Sequence, residues 1–254
     1  MNISFINDEF SENIEECISF CLENKIDFIE LRKINGKNIS DLSNDQIKDV
    51  FDSLNRHNIK ISCLDSGILK KDNFPFLTHD DEEQINCAIN RAISIAKILK
   101  TTNIRIFSGV KTPDFSFEKL ALFLSDKKDL LEGAKINLMI ENEKNCNIAK
   151  ISELKCFFEK FKLSRIYPLI DLGNAIRAGE NDIFEQCTLM KNVCRYYHIK
   201  DMSTEKKYCA IGNGIFNFDY IKNIADEASF FSLEPATKNK NDMKISVRYM
   251  KRIV

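Results

Sequence analysis

The sequence predicts one (β/α)₈ barrel domain spanning residues 1–254. Three observations carry that prediction. The chain has 254 residues, and such barrels commonly run to roughly 250 residues as one domain. Eight short apolar runs alternate with longer amphipathic segments from one end to the other. No low-complexity tract, proline-rich linker or charge block marks a domain boundary. Repeated strand–helix alternation favours a parallel sheet with helical crossovers, and eight strands favour closure. An open doubly wound sheet is the alternative. It usually shows a glycine-rich turn after an early strand, and none is present here.

The expected strands are Ile3–Ile6, Phe28–Leu31, Ile59–Leu64, Ile104–Phe107, Asn137–Ile140, Tyr167–Ile170, Tyr196–Ile199 and Phe230–Leu233. They are rich in β-branched and aromatic residues, and several are apolar throughout, as strands buried on both faces should be. Helices are expected between them. Ser11–Asn24 carries Ile14, Cys17, Ile18 and Cys21 on one stripe. A second helix ends near Asn58, with Ser43 as N-cap and Gln46 completing a capping box. Asp81–Leu99, Phe117–Phe123, Ile151–Phe161, Glu180–Met190 and Phe218–Ala228 follow.

Bulk properties narrow the function classes. The formal net charge is -1, so no global positive field gathers nucleic acid or anionic membrane. Nine cysteines are an odd number at irregular spacings, with no Cys-x-x-Cys pair. Free thiols in a reducing compartment are expected. Met1 to Phe10 lacks a basic start and a long apolar run. No stretch approaches the roughly 18 apolar residues of a membrane span. A cytoplasmic location is therefore expected.

In an α/β barrel the chemistry sits where strands end and βα loops begin. Four successive strands end on ligand-type residues: Ile140 runs into Glu141, Ile170 into Asp171, Tyr197 into His198, and Leu233 into Glu234. Their spacings of 30, 27 and 36 residues suit one βα unit each. Three carboxylates and an imidazole suit one divalent ion such as Mn²⁺, Co²⁺, Zn²⁺ or Mg²⁺. Three carboxylates brought together without a cation would repel strongly, unless one or more were protonated. Taken singly, an acidic residue after an apolar run is more often a helix N-cap or a solvated loop residue. It is the coincidence of all four that points to a metal site.

With those residues in place the sequence resembles the xylose-isomerase-like TIM barrels. That family includes sugar isomerases, ketose and sugar-phosphate epimerases, dehydratases and AP endonucleases. The matching stretches are Leu138–Asn142, Ile170–Asn174, Tyr197–Asp201, Ile211–Gly214 with Phe218, and Ser232–Glu234. Weaker matches are Phe28–Arg32, Asp65–Gly67 with Lys70, and Ile104–Ser108. The resemblance implies metal ligation by Glu141, Asp171, His198 and Glu234. It implies that Glu141 and Glu234 also serve as acid/base groups, moving a proton through an enediolate in a sugar or sugar-phosphate isomerase or epimerase. Two departures stand out. Asn174 occupies a position where relatives often carry His. The loop after His198 offers Lys206 and Lys207 where many epimerases carry Arg.

Asn174, Lys200, Asp201, Glu30 and Arg32 are the candidate substrate contacts. Each has a structural alternative. Glu30 and Arg32 could instead pair with each other at the mouth, and Asp201 could cap a loop. Glu143 could orient a ligand or be solvated. Lys70 and Lys71 could reach a phosphate at the mouth or be plain exposed lysines. The loop holding Phe74, Phe76 and His79 could form a lid or a packed surface loop.

The expected partner is therefore a small sugar or sugar phosphate, with no nucleic acid and no membrane. The resemblance also implies a homodimer or homotetramer. A metal-dependent dehydratase of a keto-polyol would use the same ligand set. An AP endonuclease is disfavoured by the presence of only three histidines and by the absence of net positive charge. A non-catalytic sugar-binding barrel is disfavoured by the retention of all four ligands.

Overall fold

The computed structural model describes Met1–Val254. Its barrel strands are β1 (Asn2–Phe5), β2 (Phe28–Leu31), β3 (Lys60–Ile68), β4 (Asn103–Ile106), β5 (Asn137–Glu141), β6 (Ile166–Asp171), β7 (Tyr196–Ile199) and β8 (Phe230–Leu233). Their order around the sheet is β1-β8-β7-β6-β5-β4-β3-β2, with every pairing parallel. A lone parallel bridge between Ile6 and Glu30 joins the two ends. All eight expected strands are present, and β3 runs on to Ile68 beyond its expected end at Leu64.

Each strand shows one face to the helices and one to the barrel interior. The main apolar core, 64 buried side chains, packs between strands and helices. Cys63, Met139, Leu169 and Tyr196 form a separate small cluster. Each of these four lies two residues before Asp65, Glu141, Asp171 or His198 on the same strand, so the strand period of two directs both layers into the barrel. The interior is thus apolar in its middle layer and charged in the layer above.

The helices follow from capping as much as from periodicity. The capping box at Ser43 and Gln46 forms as expected and opens the helix Asn44–Arg56. The helix expected from Asp81 starts at His79, because Thr78 and Asp81 exchange capping bonds one turn earlier. His79 is therefore an exposed first-turn residue near Glu83 and belongs to no lid. Phe76 packs edge-on against Phe74 and Phe123, and Phe74 meets Phe123 at a tilt, as in a packed loop.

The helix expected over Glu180–Met190 begins at Ile183. Glu180 instead accepts bonds from the Ile151 and Ser152 backbone N–H groups at 2.7 and 2.9 Å, capping the neighbouring helix Ile151–Lys160. The expected helix Phe218–Ala228 shrinks to two short turns, Phe218–Tyr220 and Ile221–Ile224. Lys128–Ala134 and Lys240–Ile253 are helices that the sequence reading did not anticipate. No helix is long and apolar enough to cross a membrane.

Candidate metal and active site

Glu141 and Asp171 are the last residues of β5 and β6, His198 is the third residue of β7, and Glu234 directly follows β8. Pairing sets Asp171 opposite His198, and the Glu234 N–H donates to the Ile199 carbonyl. One ligand-type atom from each of the four residues lies within 4.8 Å of the others, and all four residues are buried. His198 Nδ1 faces Glu141 Oε1 at 3.3 Å, Glu234 Oε2 at 3.5 Å and Asp171 Oδ2 at 3.9 Å.

Local folding aims each group. Asp171 is the N-cap of the short helix Leu172–Arg177, and its Oδ1 accepts the Asn174 N–H at 2.8 Å. Capping occupies one carboxylate oxygen and leaves Oδ2 for the cluster. One oxygen of the side chain thus caps the helix while the other is free to serve as a ligand. The Asn174 Nδ2 group donates to Glu141 Oε1 at 3.2 Å and so steadies a ligand. On β7, Tyr197 points outward and its hydroxyl donates to the Cys194 and Ile224 carbonyls, which turns its neighbour His198 inward.

The electrostatics are crowded. Asp8, Glu9, Glu30, Asp65, Glu141, Asp171 and Glu234 surround the cluster, against Arg32, Arg105 and Lys200 as permanent cations. Arg105 bridges Asp65 and Glu141, the latter at 2.7 Å. Lys200 Nζ stands 2.6 Å from Asp171 Oδ2 and 3.1 Å from Glu234 Oε2. Burial raises the Asp171 pKa to about 7 against the pull of Lys200. Burial works the same way on Glu141, but Arg105 and His198 outweigh it and hold that carboxyl well below its usual range. Lys200 and Arg32 do the same for Glu234. Burial opposes charge on His198, yet the Glu30 and Glu141 carboxylates push its pKa up to about 10.

These residues fit a divalent cation. Asp171 Oδ2, Glu234 Oε2 and Glu141 Oε2 are buried and accept no well-directed hydrogen bond, only ion-pair contacts. Each of these oxygens has one ammonium or guanidinium neighbour and keeps acceptor capacity that a divalent ion could fill. The donor set, three carboxylates and one imidazole, matches mid-range divalent ions.

The other expected site residues fall differently. Glu30 and Arg32 do not pair with each other. Glu30 lies behind the imidazole, with its carboxylate 3.1 Å from His198 Nε2. Arg32 reaches Asp8, Glu9 and Glu234 at 2.7, 2.7 and 2.8 Å. The expectation that Asp201 touches substrate is corrected. Its side chain is fully buried and accepts the backbone N–H groups of Met202, Gly212, Gly214 and Phe216. A Cβ on Gly214 would fall 2.1 Å from Asp201 Oδ1, so glycine is required there. Lys70 pairs with Glu143 at 3.5 Å and lies over the Phe107 ring. Asp65 and Arg105 lie in stretches that match the family only weakly and are not singled out there as site residues, yet they stand beside the cluster. A charged Arg105 between Ile104 and Ile106 in a short apolar strand is the signal that marks it.

A cavity of about 710 Å³ lies at the opposite end of the barrel. Asn103, Asn137, Ile166, Tyr196 and Phe230, the first residues of their strands, line it. Chemistry in this architecture belongs to the other end.

A parallel barrel with a buried Glu-Asp-His-Glu cluster at its C-terminal mouth defines a (β/α)₈ protein whose cluster could hold a divalent cation. The chain belongs to the xylose isomerase-like TIM barrel family, whose sequence model matches residues 18–253. Among solved structures it is similar to the probable 3-DHS dehydratase AsbF of Bacillus anthracis, at 19% identity and a TM-score of 0.78, with 99% of each chain covered. It is also similar to the IolI protein with a bound zinc atom, at 16% identity and a TM-score of 0.78, covering 100% of this chain and 98% of that one. A D-tagatose 3-epimerase-like protein matches at 18% identity and a TM-score of 0.79, covering 100% and 97%. At these identities the likeness is one of fold. No curated protein sequence matches the chain.

Proposed function

We propose that this protein is a divalent-metal-dependent isomerase or epimerase of a sugar or sugar phosphate. The observation that carries the proposal is the placement of Glu141 and Glu234, two buried carboxylates held ionised at 3.3 and 3.5 Å from His198 Nδ1. A divalent ion held by Glu141, Asp171, His198 and Glu234 would polarise a carbonyl and its neighbouring hydroxyl. One ionised glutamate takes the proton from the carbon beside the carbonyl, and the C–H electron pair passes into an enediolate. With Glu141 as the base, Glu234 draws a proton from the Lys200 ammonium 3.1 Å away and delivers it to the opposite face of that carbon, giving an epimer. The proton taken by Glu141 leaves to solvent, from which Lys200 is reprotonated. Return to the neighbouring carbon, with the hydroxyl proton moved between oxygens, gives an isomer. Arg105 and Lys200 set positive charge beside the enediolate in a water-poor pocket.

The test is deuterium wash-in. Mn²⁺-loaded protein in D₂O, offered a panel of ketoses and ketose phosphates, should label the carbon next to the carbonyl. Glu141→Gln and Glu234→Gln should abolish the label. No exchange from any member of the panel would contradict the proposal.

Lys200 supports a second reading, a dehydratase acting on a keto-polyol. Its buried ammonium lies 3.1 Å from Glu234 and could hand a proton to a departing hydroxyl. The likeness to a probable 3-DHS dehydratase fits that chemistry. Loss of water from the product, rather than a stereochemical change, would select this reading.

A further inference from the structure

We infer that Glu30 is the positioning residue for His198, turning the ring so that Nδ1 rather than Nε2 serves the cation. The inference rests on the metal-dependent function proposed above. Both Glu30 oxygens lie 3.1 Å from His198 Nε2, on the side of the ring away from Glu141, Asp171 and Glu234. Glu30 is fully buried, and the Tyr196 hydroxyl donates to its Oε2 at 2.9 Å. The Tyr196 oxygen also contacts Ser62 Oγ at 2.9 Å, which contacts Ser4 Oγ at 2.7 Å. The polar line Ser4–Ser62–Tyr196–Glu30–His198 thus crosses the barrel through strands β1, β3, β7 and β2 and ends on one imidazole nitrogen.

A role as an ordinary buried ion-pair partner does not explain Glu30. The nearest guanidinium in the interior, Arg105, is engaged by Asp65 and Glu141 and forms no bridge to Glu30. The one ion-pair partner of Glu30 is His198. A carboxylate accepting the Nε2 proton fixes that tautomer, orients the ring and makes the opposite nitrogen a stronger donor. The place of Glu30 in the barrel reinforces this. Its backbone makes the bridge to Ile6 that joins the ends of the sheet, next to a register shift between Ile29 and Glu30. The carboxylate is therefore mounted on the seam of the barrel and not on a loop.

The test measures Mn²⁺ affinity without substrate, by the electron paramagnetic resonance of the free ion. Glu30→Gln should bind about 10–100-fold more weakly than wild type, the range typical for loss of an outer partner of a ligand histidine. Tyr196→Phe, which leaves Glu30 in place but looser, should weaken binding by a smaller factor and carries the test should Glu30→Gln fail to fold. The His198 Nε2 proton of the Zn²⁺-loaded protein should move upfield in Glu30→Gln. Affinities within about twofold of wild type in both variants would overturn the inference. So would a lowered melting point with unchanged affinity and proton shift, the result of a purely structural role. Wild-type protein that binds neither ion would overturn the proposed function as well, and that arm separates the two failures.

Discussion

His198 Nδ1 lies 3.3 Å from Glu141 Oε1, with both groups buried and 57 positions apart in the chain. Without a metal the contact is an ion pair, and against the effect of burial the charges of the Glu30 and Glu141 carboxylates keep the ring's proton on to a pKa of about 10. A cation must take that nitrogen from its proton, and Asp171 must be ionised as well. Metal binding therefore releases protons.

The pH dependence follows from those two groups. Below about pH 7 both His198 and Asp171 hold protons that the cation displaces, and between about 7 and 10 only His198 does. Log Kd for Mn²⁺ should fall with a slope of about two per pH unit below pH 7 and about one above it. Calorimetric titration in buffers of different ionisation heat counts the protons directly. The metal-free fold should show the opposite trend. Both folded-state pKa values are raised, so both groups contribute stability that is present at low pH and is lost as pH rises through them. The metal-free melting point should decline from pH 6 to pH 8, while the shift on adding Mn²⁺ grows.

Gly173 gives Lys200 its seat. A Cβ there would lie 2.8 Å from both Cβ and Cδ of Lys200. Gly173→Ala should leave the barrel folded and push the ammonium away from Asp171 and Glu234, lowering kcat/KM by about tenfold or more. Steady-state kinetics beside a circular dichroism spectrum checks both halves of this expectation.

Asp201 is a structural acid beside a functional one. Asp201→Ala would strand four backbone N–H groups in the loop after β7, at a cost of at least about 3 kcal/mol. For a chain of this size that lowers the melting point by roughly 6–12 °C. A melting curve of the metal-free variant measures it. A shift of a degree or less would mean that the loop rearranges without cost.

Arg105 holds two buried carboxylates. Arg105→Met should destabilise the protein by about 3–5 kcal/mol, because Asp65 and Glu141 are left without their cation. Adding Asp65→Asn should restore part of the loss. Denaturant melts of the single and double variants compare the two.

The barrel and the four ligand-type residues were legible because both depend on local pattern. Apolar runs mark strands, and a polar residue after each of the last four marks their C-terminal ends. The positions of the remaining charges were not legible, since they depend on partners far along the chain. Arg32 meets Glu234 across 202 positions, and His198 meets Glu30 across 168. Asp201 follows the matching His-x-Lys pattern, but its carboxylate turns down into its own loop, and nothing in the local sequence separates that from a turn toward substrate. The C-terminal helix Lys240–Ile253 escaped notice for a different reason. Met243, Val247 and Met250 keep a helical stripe, but the surrounding Lys, Arg and Asn residues dilute its apolar signal.

Glu141, Asp171, His198 and Glu234 are proposed to hold one divalent ion between them. The most direct test is elemental analysis of protein loaded with Mn²⁺ and desalted, beside Glu234→Gln as control. About one ion per chain, reduced in the variant, is the expected result. No retained ion with Mn²⁺, Co²⁺, Zn²⁺ or Mg²⁺, or an ion count unchanged in the variant, would contradict it.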